Sequence, residues 1–262
     1  MIYWIINMTA KSFFGGYEYM EKIIIKGGNE LFGDVYINGM KNAALPIIFA
    51  TILTADKCVI ENVPRVSDIT MSFEILREMG ASVNYLDETT VEIDTYALVG
   101  GNSPYNIVQR MRGSTYLLGA ELGRFKRSRV AYPGGCNFGT RPIDMHIKGF
   151  QTLGAKVTED EEYVYADAPN GLIGNSIYFD KVSVGATVNL MLAATLADGL
   201  TVIENAAREP HIVDLANFLN TCGADIKGAG TGIIKIMGVE KLHGCTYDII
   251  PDMIEAGTYM TA

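Results

Sequence analysis

The chain has 262 residues, 48% of them hydrophobic, and a formal net charge of −9. That length allows one or two domains with full cores, since domains typically run ~100–200 residues. The acidic balance argues against a general nucleic-acid binder, which carries a basic surface stripe, and no run approaches the ~20 apolar residues of a membrane span. Local arginines and lysines still allow an anion site.

The opening Met1-Ile2-Tyr3-Trp4-Ile5-Ile6-Asn7-Met8 is apolar but lacks the basic flank and long apolar centre of a secretion signal. Met20 opens a cleaner strand pattern. The expectation is that translation starts at Met20 and that residues 1–19 are a non-native or disordered extension. Residues 20–40 then read as strands with no obvious partner in the rest of the chain. Without a signal, Cys58, Cys136, Cys222 and Cys245 read as reduced thiols in the cytoplasm. None forms a C-x-x-C pair, their spacings fit no zinc motif, and His146, His211 and His243 are scattered, so no metal is expected. Cys58 in an apolar strand and Cys222 at a helix end read as core.

An internal repeat organises the rest. Glu78-Met79-Gly80-Ala81, Thr152-Leu153-Gly154-Ala155 and Thr221-Cys222-Gly223-Ala224 end three helices alike, with their glycines 74 and 69 residues apart. Each glycine supplies the left-handed stop of a helix. Each unit opens with a small-residue helix, near Asn42–Ala50, Gly113–Ala120 and Gly185–Ala194. These helices are apolar nearly all round and so should be buried. A strand follows each, at Cys58–Asn62, Arg129–Tyr132 and Thr201–Asn205, and then the helix that ends in Gly-Ala. A strand pair completes the unit. In the third it is Ala224–Lys227 and Ile233–Ile236, so Gly228-Ala229-Gly230-Thr231-Gly232 is a hairpin turn rather than a dinucleotide loop. Gly113, Gly185 and Gly257 stand 72 residues apart. A fourth opening helix therefore begins near Ile254 and runs only to Ala262, which predicts a fold that continues beyond this sequence.

Two features carry chemistry. The stretch Pro133-Gly134-Gly135-Cys136-Asn137-Phe138-Gly139-Thr140-Arg141-Pro142-Ile143-Asp144 joins a strand to a helix. Such a turn exposes N–H groups that favour anions. Arg141 offers a fork for phosphate or carboxylate, and Asp144 is positioned to cap the helix. Cys136, beside Arg141 and a helix start, is either a nucleophile or proton donor, or a small residue in a tight turn. The second feature is basic: Lys41, Arg112 and Lys181 stand near the openings of the three repeats. Converging at one end, they predict a ligand with more than one phosphate or carboxylate. Arg208 and Glu209 read as a pair.

Gly39-Met40-Lys41-Asn42-Ala43-Ala44-Leu45-Pro46, Pro133-Gly134-Gly135-Cys136, Arg141-Pro142-Ile143-Asp144, Lys181-Val182-Ser183-Val184-Gly185-Ala186-Thr187 and Glu204-Asn205-Ala206-Ala207-Arg208-Glu209-Pro210 together resemble the UDP-N-acetylglucosamine 1-carboxyvinyltransferase family. The likeness runs from about Met20 to Ala262. It implies an α/β fold, the inside-out α/β barrel of the enolpyruvyl transferase type. Three repeats over 41–249 would form one complete domain, and 20–40 and 250–262 would belong to a second domain mostly missing here. The implied reaction moves enolpyruvyl from phosphoenolpyruvate to the 3-hydroxyl of UDP-N-acetylglucosamine and releases phosphate, the first committed step of peptidoglycan synthesis. No cofactor is implied. By motif, Lys41, Asn42 and Arg141 would meet phosphoenolpyruvate. Arg112, Arg141, Pro142, Ile143, Asp144, Met145, Lys181, Val182, Ser183 and Val184 would bind UDP-N-acetylglucosamine. Cys136 would donate a proton to phosphoenolpyruvate. The family's aspartate base and a further arginine fall in the half not encoded here. Met40 and Met253 depart from the family pattern. The rival shikimate-pathway transferase would show a Gly-Ser-Lys-Ser start and no loop cysteine. The rival of another class is an inactive remnant that at most binds a uridine nucleotide.

Overall fold

The first repeat runs from helix α1 (Lys41–Ala50) through a 3-10 turn (Thr51–Thr54) to strand β1 (Lys57–Glu61), helix α2 (Ser67–Glu78) and the hairpin of β2 (Ser82–Tyr85) and β3 (Val91–Asp94). The second opens with α3 (Tyr105–Val108) and a 3-10 turn (Arg112–Thr115). It continues with α4 (Tyr116–Phe125), β4 (Arg127–Ala131), α5 (Asp144–Thr152) and the hairpin of β5 (Lys156–Glu159) and β6 (Tyr163–Asp167). The third is preceded by β7 (Ser176–Tyr178). It comprises α6 (Val184–Ala194), β8 (Leu200–Glu204), α7 (Pro210–Thr221) and the hairpin of β9 (Asp225–Lys227) and β10 (Ile233–Met237). Strand β11 (Thr246–Asp248) and α8 (Met253–Thr261) come last. The computed structural model describes residues 32–101, 103–132 and 143–262. Asn38–Met253 form one compact unit, while residues 32–37 fall with Ile254–Ala262 in another.

The three Gly-Ala stops are one motif used three times. Gly80, Gly154 and Gly223 have φ of 101°, 92° and 102°. In each, the alanine N–H reaches back to a helix carbonyl, from Ala81 to Leu76 (2.9 Å), Ala155 to Phe150 (3.0 Å) and Ala224 to Leu219 (3.0 Å). The glycine N–H bonds the next carbonyl, of Arg77, Gln151 and Asn220. This 6→1 and 5→2 pair satisfies the last carbonyls and turns the chain into the hairpin.

The opening helices are interior. Ala43–Ala50 of α1 and Ala186–Ala194 of α6 are buried throughout. In α4 the buried run is Leu117–Gly123. Helices α4 and α6 cross so closely that a Cβ on Gly119 would lie 2.3 Å from the Asn189 carbonyl oxygen. The second helix of each repeat adds one fully buried phenylalanine, Phe73, Phe150 and Phe218, each worth ~1.5–3 kcal/mol of burial.

Three sheets cover these helices, in the orders β11-β1-β3-β2, β4-β6-β5 and β7-β8-β10-β9. In each, the first strand of the repeat pairs antiparallel with the third, and the third with the second. Strands β1, β8 and β10 alternate between buried and more exposed residues, so one face packs inward. Two sheets gain a parallel edge strand: β7 on β8, and β11 on β1. The turns beside these edges match. Asn62 and Asn205 sit at φ 55° and 56° and donate their side-chain amides to the carbonyls of Ile249 (2.9 Å) and Phe179 (2.8 Å). Asparagine tolerates that left-handed backbone. Because β11 follows the third repeat and pairs with the first strand of the first, the three repeats close on themselves.

The architecture is the expected one of helices inside and sheets outside. Among the described residues the strands form three separate sheets rather than one closed barrel. Of the strands expected over residues 20–40, residues 20–31 lie outside the described residues, as does the expected 1–19 extension; 32–38 form no strand, and Gly39 bridges to Pro251. Gly228–Gly232 is the expected hairpin turn between β9 and β10. Arg208 and Glu209 do not pair through their side chains; the Glu209 carboxylate accepts the Arg208 backbone N–H at 2.9 Å. Helix α8 has no buried residue. Among the described residues, no helix is long and apolar enough to cross a membrane.

Candidate functional site

A cleft of about 640 Å³ opens where the repeats begin. Helix α1 contributes Lys41 and Asn42, and the 3-10 turn before α4 contributes Arg112 and Gly113, with Arg110 just ahead. Helix α5 contributes His146, the start of α6 contributes Ser183, Val184 and Gly185, and α7 contributes His211. Asp68 of α2 closes one side. Among the described residues, three cations line the cleft with one carboxylate, in a protein of net charge −9. The cleft thus concentrates positive charge locally, as an anion site requires.

Local structure fixes each group. The first turn of α1 follows Met40, which is fully buried and caps nothing with its side chain. Its backbone is held from both sides: Met40 N–H bonds the Ile250 carbonyl (2.9 Å), and Met40 O accepts from Ala43 and Ala44. Lys41 Nζ reaches Asp68 Oδ2 at 3.0 Å, with both side chains partly exposed. An ion pair of this kind holds direction more than stability, worth ~0–1 kcal/mol. Ser183 caps α6 by accepting the Ala186 N–H at 3.3 Å.

His146 is the best-defined group in the cleft. It is 5% exposed, and its Nδ1 lies 2.9 Å from Asn189 Nδ2. Asn189 Oδ1 accepts the Gly119 N–H at 2.8 Å, and Nδ2 also donates to the Gly185 carbonyl. The Asn189 amide is therefore oriented with nitrogen toward the histidine, so Nδ1 must accept and the neutral ring carries its proton on Nε2. Burial first, and the Arg112 guanidinium second, lower the His146 pKa to about 4. At neutral pH the cleft thus holds a neutral imidazole beside cationic arginine. Burial lowers His211 as well.

The structure gathers some of the sequence-predicted residues and separates others. Lys41, Asn42, Arg112, Ser183 and Val184 are brought together. Ile143 is buried just before α5, Met145 packs against the core, and Asp144 is exposed. Asp144 is the first helical residue, not the cap: Ile143 holds the cap position and no side chain bonds there. Lys181 and Val182 are exposed and do not line the cleft. Lys181 stands three residues before α6, whereas Lys41 and Arg112 are first residues of their helical turns, so the three bases are not at the same point. Cys136, Arg141 and Pro142 lie outside the described residues. Sequence reasoning missed His146, Arg110, Asp68 and His211 as cleft residues. A second depression, of about 750 Å³, is lined near Val63–Thr70 and Tyr85–Glu88. Its cation, Arg65, already meets Glu88 at 3.5 Å, so it lacks a comparable excess of positive charge.

Comparison with known proteins gives the class first. The structure matches the enolpyruvyl transferase NikO from Streptomyces tendae at a TM-score of 0.77 and 26% identity, over 89% of this chain and 55% of that one. It matches an EPSP synthase from Acinetobacter baumannii at a TM-score of 0.67 and 21% identity, over 89% and 54%, a likeness of fold alone. The fold is that of the enolpyruvyl transferases. Residues 25–262 match the family described as EPSP synthase (3-phosphoshikimate 1-carboxyvinyltransferase), and the chain belongs to this family. A UDP-N-acetylglucosamine 1-carboxyvinyltransferase of Clostridium botulinum is 53% identical over 244 residues, covering 93% of this chain and 58% of that protein. UDP-N-acetylglucosamine 1-carboxyvinyltransferase 2 of Bacillus subtilis is 51% identical, over 93% and 56%. The chain thus spans a little more than half the length of these relatives.

Proposed function

We propose that this chain carries the three-repeat part of a cytoplasmic enzyme that transfers enolpyruvyl from phosphoenolpyruvate to the 3-hydroxyl of UDP-N-acetylglucosamine, with release of phosphate, at the first committed step of peptidoglycan synthesis. The carrying observation is the convergence of Lys41, Asn42, Arg110, Arg112 and neutral His146 on one cleft at the starts of the repeats. The resemblance and the names of the relatives support the substrates. Lys41 and Asn42, with Arg141, hold phosphoenolpyruvate. Arg112 meets phosphate groups, and Ser183 and Val184 line the uridine nucleotide side with Pro142, Ile143, Asp144, Met145, Lys181 and Val182. Cys136 gives its proton to the methylene carbon of phosphoenolpyruvate. That leaves C2 electrophilic, the sugar hydroxyl adds there as its proton passes to a base, and fixed cations stabilise the anionic adduct. Loss of a methyl proton and of phosphate completes the transfer. His146 Nε2–H is a neutral donor toward bound anions.

The test is UDP-N-acetylglucosamine-dependent phosphate release from phosphoenolpyruvate by the 262-residue chain. Release that Cys136→Ser and Lys41→Ala each abolish would assign the whole reaction to this chain. Nucleotide-sugar binding without release, weakened at least tenfold by Arg112→Ala, would assign this chain a binding role only. Neither release nor binding would refute the proposal.

A further inference from the structure

Cys58, Cys222 and Cys245 lie 164 and 23 residues apart in sequence, yet their sulfurs all fall within 4.8 Å of one another. Cys58 is the second residue of β1, Cys222 caps the end of α7, and Cys245 directly precedes β11. Backbone bonds fix all three positions. Val59 N–H donates to the Cys245 carbonyl at 2.8 Å, beside Cys58, and His243 N–H donates to the Cys222 carbonyl at 3.0 Å. Cys58 and Cys222 are fully buried and Cys245 is partly buried, which leaves one side of the cluster open to solvent. None of the three lines the anion cleft.

We infer that these three thiols form a binding site for a soft, thiophilic metal ion of the zinc or copper(I) class. With a metal–sulfur bond of ~2.3 Å, sulfurs around one ion stand about 3.8 Å apart in a tetrahedral site and about 4.0 Å apart in a trigonal one. The Cys222–Cys245 sulfur separation is 3.3 Å and all three pairs lie within 4.8 Å, so small rotations of the side chains bring each pair to the required distance. The donor set is all sulfur, which selects soft ions over magnesium or calcium. Each thiol ligates as thiolate and releases its proton to solvent. A zinc ion would complete four-coordination with water on the open side; copper(I) would be satisfied by the three sulfurs. The bound ion would staple the segment before β11, which closes the ring of repeats, to the first repeat and to the end of α7.

The experiment is a Cd(II) titration of the reduced 262-residue chain carrying Cys136→Ser, which removes the remaining cysteine, followed in the ultraviolet thiolate-to-cadmium band. The expected result is one ion per chain, displacement of preloaded Zn(II) by Cd(II), and a rise in melting temperature on loading. Cys245→Ser, at the partly exposed thiol, and Cys58→Ser should each weaken binding at least tenfold, with circular dichroism confirming that the variant is folded. No band, a stoichiometry other than one, or a band unchanged in folded Cys245→Ser would overturn the site. Recovery of a Cys222–Cys245 disulfide from chain prepared with reductant and Zn(II) would overturn it as well, by making the cluster a redox pair.

Discussion

Glu121 of α4 is fully buried, with Oε2 accepting from Ser128 Oγ at 2.9 Å and from the Arg129 N–H at 3.3 Å. Burial outweighs those bonds and raises its pKa from 4.5 to about 7. In the folded chain the carboxyl thus holds its proton more firmly than in the unfolded chain. The stability this gives is fully present below pH 4.5 and is lost as pH rises to about 7. His146 does the opposite. Its pKa falls from 6.5 to about 4, so its contribution is full above pH 6.5 and is lost as pH falls to about 4. At 1.36 kcal/mol per pH unit, each gap corresponds to ~3 kcal/mol. Between pH 4.5 and 6.5 the two slopes oppose each other, and the parent protein hides both. Glu121→Gln removes one. Relative to the parent, its unfolding free energy should rise by ~3 kcal/mol from pH 4.5 to pH 8. Urea unfolding at half-unit steps of pH measures this directly. A Glu121→Gln curve that runs parallel to the parent's across that range would refute the reasoning.

The packing and the cleft set further outcomes. Gly119→Ala places a Cβ against the Asn189 carbonyl and should cost ~2 kcal/mol or more by overpacking, read as a lower urea midpoint. Gly154→Ala meets nothing within 4 Å, so only its φ of 92° opposes the change, and the loss should be ~1–2 kcal/mol. Asn189→Ala strands the Gly119 N–H and His146 Nδ1 and should lower stability by about 3 kcal/mol; nuclear magnetic resonance of the ring would show the Nε2–H tautomer no longer enforced. Lys41→Met should change stability by less than ~1 kcal/mol, because the Asp68 pair is partly exposed, while calorimetry shows phosphoenolpyruvate binding reduced at least tenfold.

Much of this fold is readable from local chemistry. A helix that must end in a left-handed residue needs glycine, so Gly80, Gly154 and Gly223 announce the repeat. The helices that open each unit are apolar on every side, so they announce their own burial. What escapes is set by distance along the chain. Strands β7 and β11 are three residues each, and only their partners β8 and β1 make them strands. The cysteine cluster depends on that same β1–β11 pairing. His146 looks ordinary beside the glycine-rich turn; its role comes from Asn189, 43 residues on. Lys181 stands three residues ahead of α6, an offset that resemblance among the repeat openings hides.

Asp252 N–H bonds the Asn38 carbonyl at 2.8 Å, and Gly39 bridges Pro251, so the chain enters and leaves the three-repeat unit at one point. That geometry has a cost in folding time and a benefit in evolution. The β1–β11 pairing joins residues 187 apart, so ring closure carries a large loop entropy and should come late among the folding events. Adjacent ends also make the unit portable. It should tolerate insertion into another chain, and a circular permutant opened at the Gly228–Gly232 turn and joined across residues 38 and 252 should keep every sheet intact.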